Sequence, residues 1–430
     1  MSAPGTLFLL ARRSLRTHLL STGVTALAVA LACGLTMSVF SIRSQAHDAF
    51  AGHPLGFDAV LGARGSQEQL VLNCVYHLET SPGNIRYAIY KEMQKSPLVS
   101  LAVPYAVGDN YHGFRIVGTT TDMFTKFEYR PGKKMELEPG GILFDPHRME
   151  AVIGSYVAEK TGLKVNSTFH PYHGFVFDPN EQHSEVYHVV GVLKPTNTPN
   201  DQAIWIPLEG MYRMKGHVLR GTGQDYIPKP GEAIPDEDKE VSAVMLKFKS
   251  PDEGFAMNDL INRQGKVLTL AYPVTKVMDD FLRKIGWVDT VLEMVAYLVV
   301  AVSAMTILAS LYNTMNERRR EFAILRALGA RRRTIFAVVV AESAGIAALG
   351  AVLSFPIYAL IVYLAAAAIR SQTGVVLDVF AFGSTQIGAW NLPVVVAAPL
   401  AMVAIGALSG LLPAWKAYRT DVAADLTPLT

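Results

Sequence analysis

Four long stretches without charged residues limit most strongly what this chain can fold into. Residues 19–42, 294–315 and 392–415 contain no charged side chain, and residues 334–369 contain only Glu342. About 20 apolar residues of helix cross the hydrocarbon core of a bilayer. Helices buried inside a soluble protein are rarely so long and so free of charge. The pattern therefore predicts an integral membrane protein with four transmembrane helices.

The basic residues predict the orientation of these helices. Twelve Lys and Arg side chains lie before the first span, between the second and third, and after the fourth. If all four segments cross, these residues share one side, which the positive-inside rule assigns to the cytoplasm. Both termini are then cytoplasmic. The insert at 43–287 is then outside the cytoplasm. Its net charge is −3, whereas the remaining residues of the chain have a net charge of +5. Neither net charge indicates a nucleic-acid partner. The basic residues on the cytoplasmic side are explained by their attraction to anionic lipid headgroups.

The same features divide the chain into nine segments. They predict an interfacial helix at 1–18, the first span at 19–42, the outer insert at 43–287, the second span at 288–315, a cytoplasmic coupling segment at 316–333, the third span at 334–369, a short outer loop at 370–391, the fourth span at 392–415 and a cytoplasmic tail at 416–430. A cleaved signal peptide is the alternative for the first span. Its apolar region is longer than the usual 7–15 residues, which favours a retained anchor.

The outer insert has the pattern of a mixed α/β domain. Short runs rich in β-forming residues predict strands at 189–193, 203–206 and 243–248. Helical spacing predicts helices at 150–161 and 253–263. The stretch Gly221 to Glu240, rich in glycine, proline and charge, predicts an exposed loop.

The sequence lacks the common catalytic motifs. It contains no Gly-x-x-x-x-Gly-Lys-Ser/Thr phosphate loop, no Gly-x-Ser-x-Gly elbow and no His-Glu-x-x-His zinc helix. ATP hydrolysis of the phosphate-loop type would therefore need another chain. We expect a non-catalytic protein; the alternative is an enzyme of the outer face whose catalytic residues come from distant parts of the sequence.

Histidines are concentrated in the outer insert, which holds ten of the eleven. Imidazole and carboxylate side chains suit zinc or copper, and one segment combines them closely. The hypothesis is a metal site formed by His170, His173, His183, Glu185 and His188. The alternative is a polar surface loop that happens to contain histidines.

Glu342 is the only charged residue within the four apolar stretches 19–42, 294–315, 334–369 and 392–415. An intramembrane carboxylate is costly and suggests a functional site, such as a proton or ion relay. It lies about two turns from the cytoplasmic end of its helix, so a structural role through snorkelling or pairing with Arg is the alternative. The structural role is the favoured interpretation.

The cytoplasmic segment 316–333 combines many arginines with an apolar pattern. Phe322, Ile324, Leu325 and Leu328 are expected to line one side of a short helix, and Gly329 predicts its end. Such a helix suits docking into a groove of a partner protein. The alternative is a basic loop that only fixes topology.

At this segment the chain resembles the FtsX/MacB class of ABC-transporter membrane subunits, also called type VII. The matching residues are Glu317, Arg318, Glu321, Ile324, Leu325, Arg326, Ala327, Leu328, Gly329 and Ala330, followed by Ile335, Glu342 and Gly350. The outer insert resembles the MacB periplasmic core at 151–154, 162–165, 189–193 and 196–208. It departs at Asn166-Ser167, where many relatives have Gly-Asp, which leaves the shape of that turn open.

The resemblance implies a specific assembly in a bacterial inner membrane. Two permease copies, most simply a homodimer, would bind a dimer of cytoplasmic ABC ATPases that carry ATP and Mg²⁺. The residues implied in coupling are Glu317, Arg318, Glu321, Leu325, Arg326, Leu328 and Gly329. ATP-driven movement of the outer domains, called mechanotransmission, would export or extract a substrate, with a periplasmic partner in some members. The alternative is a membrane-anchored metal-binding receptor or sensor without transport activity.

Overall fold

The computed structural model describes residues 19–48, 56–217, 234–317, 319–373, 376–380, 386–387 and 392–418. These residues form two compact units. One contains the residues up to 46, 285–367 and those from 377 onward, and the other contains 47–284 and 368–376. The interfacial helix predicted at 1–18 and most of the loop predicted at Gly221 to Glu240 lie outside the described residues.

The helices and strands have the following bounds. The helices are α1 (Leu19–His47), α2 (Gln67–Cys74), α3 (Tyr87–Lys95), α4 (Asp122–Thr125), α5 (Ser155–Thr161), α6 (Leu208–Arg213), α7 (Pro251–Asn258), α8 (Val274–Lys284), α9 (Trp287–Glu317), α10 (Arg319–Ala327), α11 (Arg332–Thr373), α12 (Val394–Ser409) and α13 (Leu411–Tyr418). The strands are β1 (Ala59–Ala63), β2 (Ile85–Arg86), β3 (Val99–Tyr111), β4 (Phe114–Thr119), β5 (Glu150–Ile153), β6 (Thr168–Phe169), β7 (Tyr172–His173), β8 (Tyr187–Val192), β9 (Ile204–Pro207), β10 (Glu240–Val241), β11 (Ala243–Phe248), β12 (Leu268–Ala271), β13 (Gln386–Ile387) and β14 (Leu392–Pro393).

Among the described residues, the first unit contains four helical segments that are long and apolar enough to cross a membrane, which confirms the predicted membrane class. They are α1, α9, α11 and the consecutive helices α12 and α13. Small residues let these helices pack closely. A Cβ atom on Gly350 of α11 would lie 2.6 Å from Cβ of Val29 on α1, and one on Gly406 of α12 would lie 2.3 Å from the methyl of Ala347.

The second unit is built on a ten-stranded mixed sheet, as expected for the outer domain. The strand order is β12-β1-β11-β3-β4-β9-β5-β8-β6, and β7 pairs with β3 beside this path. The pairs β4–β9 and β5–β8 are parallel, and the other pairs are antiparallel. Neighbouring residues of one strand point to opposite faces. Val103 and Ala102 of β3 therefore belong to two different hydrophobic clusters, one on each face of the sheet.

The sequence prediction of a helix at 150–161 is only half correct. Residues Glu150–Ile153 form strand β5, and the helix begins at Ser155. The reason is the run of buried apolar residues at 151–153, which pairs with β8 on one side and β9 on the other. Gly154 is extended and has no room for a side chain, because a Cβ would lie 2.3 Å from the Asp201 carbonyl oxygen.

The other predicted elements of this unit agree with the structure. The strands predicted at 189–193, 203–206 and 243–248 correspond to β8, β9 and β11. The helix predicted at 253–263 is α7, continued by a π-helical segment at Asp259–Gln264. Asn166 has a φ of +73°, a left-handed conformation that asparagine tolerates and glycine favours. The turn at this position therefore keeps a conformation that a glycine would also adopt.

Candidate functional site

Two of the predicted histidines meet in a small hairpin. Strand β7 contains His173, and its partner segment returns through Gln182, which forms an isolated bridge with Tyr172. The His173 amide donates to the Glu181 carbonyl at 2.8 Å, and the His183 amide donates to the Pro171 carbonyl at 2.9 Å. These bonds place the imidazoles of His173 and His183 side by side, with ring centroids 5.6 Å apart.

A buried carboxylate lies opposite these two rings. Asp109, with no exposed surface, is on β3 and pairs with His173 of β7. The register of β3 against β4 shifts between Val107 and Asp109, as in a β-bulge, which redirects a side chain. His173 Nδ1 and His183 Nε2 each lie 3.3 Å from Asp109 Oδ1.

A third imidazole comes from a segment that sequence reasoning did not include. His217 follows α6, and its amide donates to the Met214 carbonyl at 3.4 Å. The preceding Gly216 has a φ of +89°, which favours glycine. The ring passes close to the backbone of β3, since a Cβ on Gly108 would lie 3.4 Å from His217 Cε1. His217 Nε2 lies 3.0 Å from Asp109 Oδ2.

Together these residues form a compact group of metal-ligand atoms. One ligand atom each from Asp109, His173, His183 and His217 lies within 4.8 Å of every other. Asp109 is completely buried, and the side chains of His183 and His217 are 9% and 11% exposed. The side chain of His173 is 52% exposed and forms the solvent side of the group.

The charges in the group are strongly coupled. Burial alone would raise the pKa of Asp109, but its contacts with the three imidazoles outweigh burial and hold that pKa well below its usual range. The hydrogen bond with Asp109 raises the pKa of His173 above its ordinary value, against the effect of burial. The cluster therefore contains an ionised carboxylate in a nearly water-free position.

Two atoms in the cluster have no hydrogen-bond partner among the described residues. They are Asp109 Oδ2 and His217 Nε2, which lie 3.0 Å apart but without hydrogen-bond geometry. Both are buried. An unpaired buried polar atom costs free energy, so such atoms call for an explanation such as an ion or a water molecule. The donor set fits a divalent transition metal, because imidazole nitrogen and carboxylate oxygen are ordinary zinc ligands.

Glu185 lies behind the cluster and not in it. Its Oε2 is 4.0 Å from His183 Nδ1, the ring nitrogen that faces away from Asp109. A carboxylate in this position can orient a metal-binding imidazole. Tyr187 is also near, and burial raises its pKa well above the ordinary value, with the negative charges of Asp109 and Glu185 adding to the effect. Its hydroxyl therefore stays neutral.

The structure places the other predicted residues of the histidine segment elsewhere. His170, which follows β6, has a buried Nδ1 without a hydrogen-bond partner in the described chain, and it is not in the four-residue group. His188 lies on β8 with its side chain exposed. The predicted segment therefore contributes His173 and His183 as candidate ligands, while Asp109 and His217 are the two that the sequence reading missed.

The coupling segment forms the short helix α10, followed by a turn. Gly329 has a φ of +97°, and the amide of Ala330 donates to the Leu325 carbonyl at 3.0 Å, which ends the helix as predicted. The apolar residues do not share one side. Phe322 is buried in a cluster with Met315, whereas Ile324 and Leu328 are 46% and 80% exposed.

The expectation of a single apolar face is therefore wrong. At about 100° per residue, Ile324 and Leu328 lie together on a side of α10 different from that of Phe322. One apolar side, at Phe322, packs against the same unit, and a second apolar surface, at Ile324 and Leu328, is exposed. Glu317 ends α9 and Glu321 lies in the first turn of α10, while Arg318 lies outside the described residues.

Glu342 lies in α11 and is buried, at 5% exposure. It has at least one polar or electrostatic interaction, so it is not an isolated carboxylate. The neighbouring Ser343 packs tightly against α12, since a Cβ on Gly410 would lie 2.1 Å from Ser343 Oγ. Glu342 is therefore held inside a closely packed part of the helical unit.

Two family models match the chain. The model for the MacB-like periplasmic core domain matches residues 22–263, more than half of the 430 residues. The model for the FtsX-like permease C-terminal region matches residues 293–422. The chain belongs to the FtsX/MacB family of ABC-transporter permeases. FtsX/MacB permeases are non-catalytic membrane subunits. The first match contains the Asp109 cluster, and the second contains α10 and Glu342.

One solved structure is similar to part of this chain. The crystal structure of the extracellular domain of the noncanonic ABC-type transporter YknZ from Gram-positive bacteria is similar over 49% of this chain and 97% of that chain. The identity is 17% and the TM-score is 0.27. Comparison with curated protein sequences gives no match. The family assignment of this permease therefore comes from the two family models.

Proposed function

We propose that this permease couples ATP hydrolysis by a separate cytoplasmic ATPase to movement of its outer domain, and that this movement exports or extracts a substrate. Ile324, exposed on α10, and Leu328, exposed directly after its last residue, carry the proposal. Apolar anchors on one side of a short helix are suited to a groove in a partner protein. The chain has no phosphate loop of its own, so a partner chain would bind ATP and Mg²⁺.

The opposite side of α10 supports a role in force transmission. Phe322 and Ala323 are buried, and Phe322 packs in a cluster with Ile335 and Val339 of α11 and Ala414 of α13. A displacement of α10 by a docked ATPase would act directly on these two membrane helices. If α10 were a loop without such packing, a docked ATPase would only rearrange the loop and would not move the membrane helices.

The proposed assembly contains two permease copies and an ATPase dimer in a bacterial inner membrane. The arginine distribution puts α10 and both termini in the cytoplasm and the sheet domain outside. α9 has many exposed apolar side chains, including Leu298 and Met305, which would face lipid or the second permease copy. A periplasmic protein that receives the movement is a further part of the proposal, and a metal-linked substrate would suit the histidine cluster.

Docking can be tested with the full-length permease and its ATPase in nanodiscs. Ile324→Asp with Leu328→Asp should weaken binding about 30-fold or more, because two apolar anchors at about 1 kcal/mol each add up to about 2 kcal/mol. Permease-dependent ATPase activity should fall with binding. The control is Val267→Asp, which changes an exposed valine of the outer domain at 74% exposure. Undiminished binding by the double variant would contradict the proposal.

Charge reversal provides a second version of this test. Glu321→Lys with Arg326→Glu changes two charged residues of α10 but preserves its net charge. We expect complex formation and ATPase coupling to decrease while the permease still inserts and folds. If both are unchanged, α10 is not the coupling helix.

The second candidate function is a membrane-anchored metal receptor without transport activity. The Asp109 cluster favours it, because metal binding in the outer domain needs no ATPase. Purification of the native complex separates the two candidates. A stoichiometric ATPase supports the permease proposal, and a complex that holds metal but lacks an ATPase supports the receptor.

A further inference from the structure

We propose that Asp109, His173, His183 and His217 bind one zinc ion in the outer domain. The four ligand atoms belong to three separate parts of the chain: strand β3, the hairpin at 172–183 and the segment after α6. Nothing in their sequence separation brings them together. The folded sheet does so, which makes the cluster a feature of the native domain and not of a flexible histidine-rich loop.

The donor atoms select for a transition metal. Three imidazole nitrogens and one carboxylate oxygen are ordinary ligands of zinc, whereas calcium and magnesium prefer oxygen ligands alone. Zn–N distances of about 2.0–2.1 Å put neighbouring tetrahedral ligands about 3.3 Å apart. The distances from Asp109 oxygens to the three imidazole nitrogens are 3.0, 3.3 and 3.3 Å. The remaining ligand pairs are within 4.8 Å, so modest ring movements complete the geometry.

A bound cation also explains the two unpaired atoms. Asp109 Oδ2 and His217 Nε2 are buried and close, yet they do not hydrogen-bond to each other. With neutral imidazoles, a shared Zn²⁺ would use the lone pairs of both atoms.

The residues around the cluster hold one ligand in place and leave one edge of the site open to solvent. Glu185 lies on the far side of the His183 ring, at 4.0 Å from Nδ1, where it can orient this ligand. His183 and His217 are almost covered, whereas His173 is half exposed. The exposed edge at His173 provides a route by which zinc reaches and leaves the site. Zinc would therefore fasten three segments of the domain reversibly.

Zinc binding is measured on the full-length permease in detergent, without a polyhistidine tag, by competition with a fluorescent chelator and by elemental analysis. We expect one zinc per chain. His183→Ala and His217→Ala should each weaken binding at least 100-fold, and Glu185→Gln about 10–100-fold as an outer-shell change. The matched controls are His170→Ala and His188→Ala, which remove histidines of the same region outside the cluster and should retain wild-type affinity.

A second measurement uses only the wild-type chain, in case a variant misfolds. Diethyl pyrocarbonate acylates exposed imidazoles, and mass spectrometry locates the modified histidines. Zinc should protect His173 from modification and leave His188, which is also exposed, reactive. Absence of stoichiometric binding, equal losses in ligand and control variants, or equal protection of both histidines would overturn the proposal. The result does not depend on an ATPase, so it is independent of the permease mechanism.

Discussion

The turn at 196–201 of the outer domain offers a prediction whose size follows from its contacts. Asp201, only 4% exposed, accepts four hydrogen bonds from the Thr196 amide and hydroxyl and the Asn197 amide, at 2.8–3.1 Å. Asn197 in turn bonds with Val376, and Gln202 donates to the Arg370 carbonyl. Arg370 lies in the last turns of α11 and Val376 lies after its end, and both belong to the same unit as this turn, so the turn holds the C-terminal end of α11 and the residue beyond it.

Replacement of Asp201 by alanine should destabilise the domain by about 3 kcal/mol. Hydrogen bonds to a charged group contribute about 1.5–3 kcal/mol each, and the buried Thr196 amide would lose its partner. The sum is reduced because burial already disfavours the ionised carboxylate, which raises the pKa of Asp201 despite these bonds. For a domain of this size, about 3 kcal/mol corresponds to a Tm decrease of about 6–12 °C.

The assay is thermal unfolding of the full-length permease in nanodiscs, followed by tryptophan fluorescence. Trp205 is completely buried in the outer domain and reports on its core. The control is Asp145→Ala, which removes an exposed aspartate that caps the His147 amide at 2.9 Å and should change Tm by about 2 °C or less. Equal Tm values for Asp201→Ala and Asp145→Ala would refute the reasoning.

Three further predictions concern other parts of the chain. Gly406→Ala should lower the Tm of the membrane unit, because the new methyl would lie 2.3 Å from a methyl on the facing helix, whereas Gly23→Ala, with open space, should not. Glu342→Gln should leave ATPase stimulation within about twofold if the residue is structural, and a large loss would indicate a relay. Lys284 lowers the pKa of Glu68 to about 2, so the ionised form of Glu68 stabilises the fold above its ordinary pKa, and this contribution is lost as pH falls toward 2. Lys284→Met should therefore flatten the decrease in Tm between about pH 5 and 3.

The membrane helices were accessible to sequence reasoning because their signal is local. A helix satisfies its own backbone hydrogen bonds, so an uncharged run of sufficient length predicts a span without knowledge of its neighbours. Strands β8, β9 and β11 were recognised for the same reason, as compact apolar runs. Strand β5 was not, since Glu150–Ile153 becomes a strand only through pairing with β8 and β9.

The histidine cluster could not be predicted in full from local sequence patterns, because its residues meet only in the folded domain. His173 and His183 lie ten residues apart, and their joint position depends on a hairpin that the sequence suggests only weakly. Asp109 and His217 come from distant segments, joined to the hairpin by strand pairing and by the turn at Gly216. One signal was visible: Asp109 is a lone carboxylate within the otherwise uncharged run Val99–Tyr111. A charge inside a buried strand is rare without a partner.

A short helix, α10, lies within the segment 316–333 as the sequence predicts, but its apolar residues are arranged differently from the prediction. Helical spacing separates Phe322 from Ile324 and Leu328, and the structure uses the first for internal packing and exposes the other two. Sequence alone does not reveal which of two apolar sides of a helix packs against the rest of the protein. The packing of Phe322 against the membrane helices decides it.

The most direct test of the account measures movement of the outer domain itself. A spin label at Lys95→Cys, an exposed position at the end of α3, would report the distance between the outer domains of two permease copies in the reconstituted ATPase complex. The native Cys33 and Cys74 are buried. We predict a shifted distance distribution when ATP is bound and hydrolysis is blocked, and a return after hydrolysis. Identical distributions with and without ATP, in a complex that hydrolyses ATP normally, would contradict mechanotransmission.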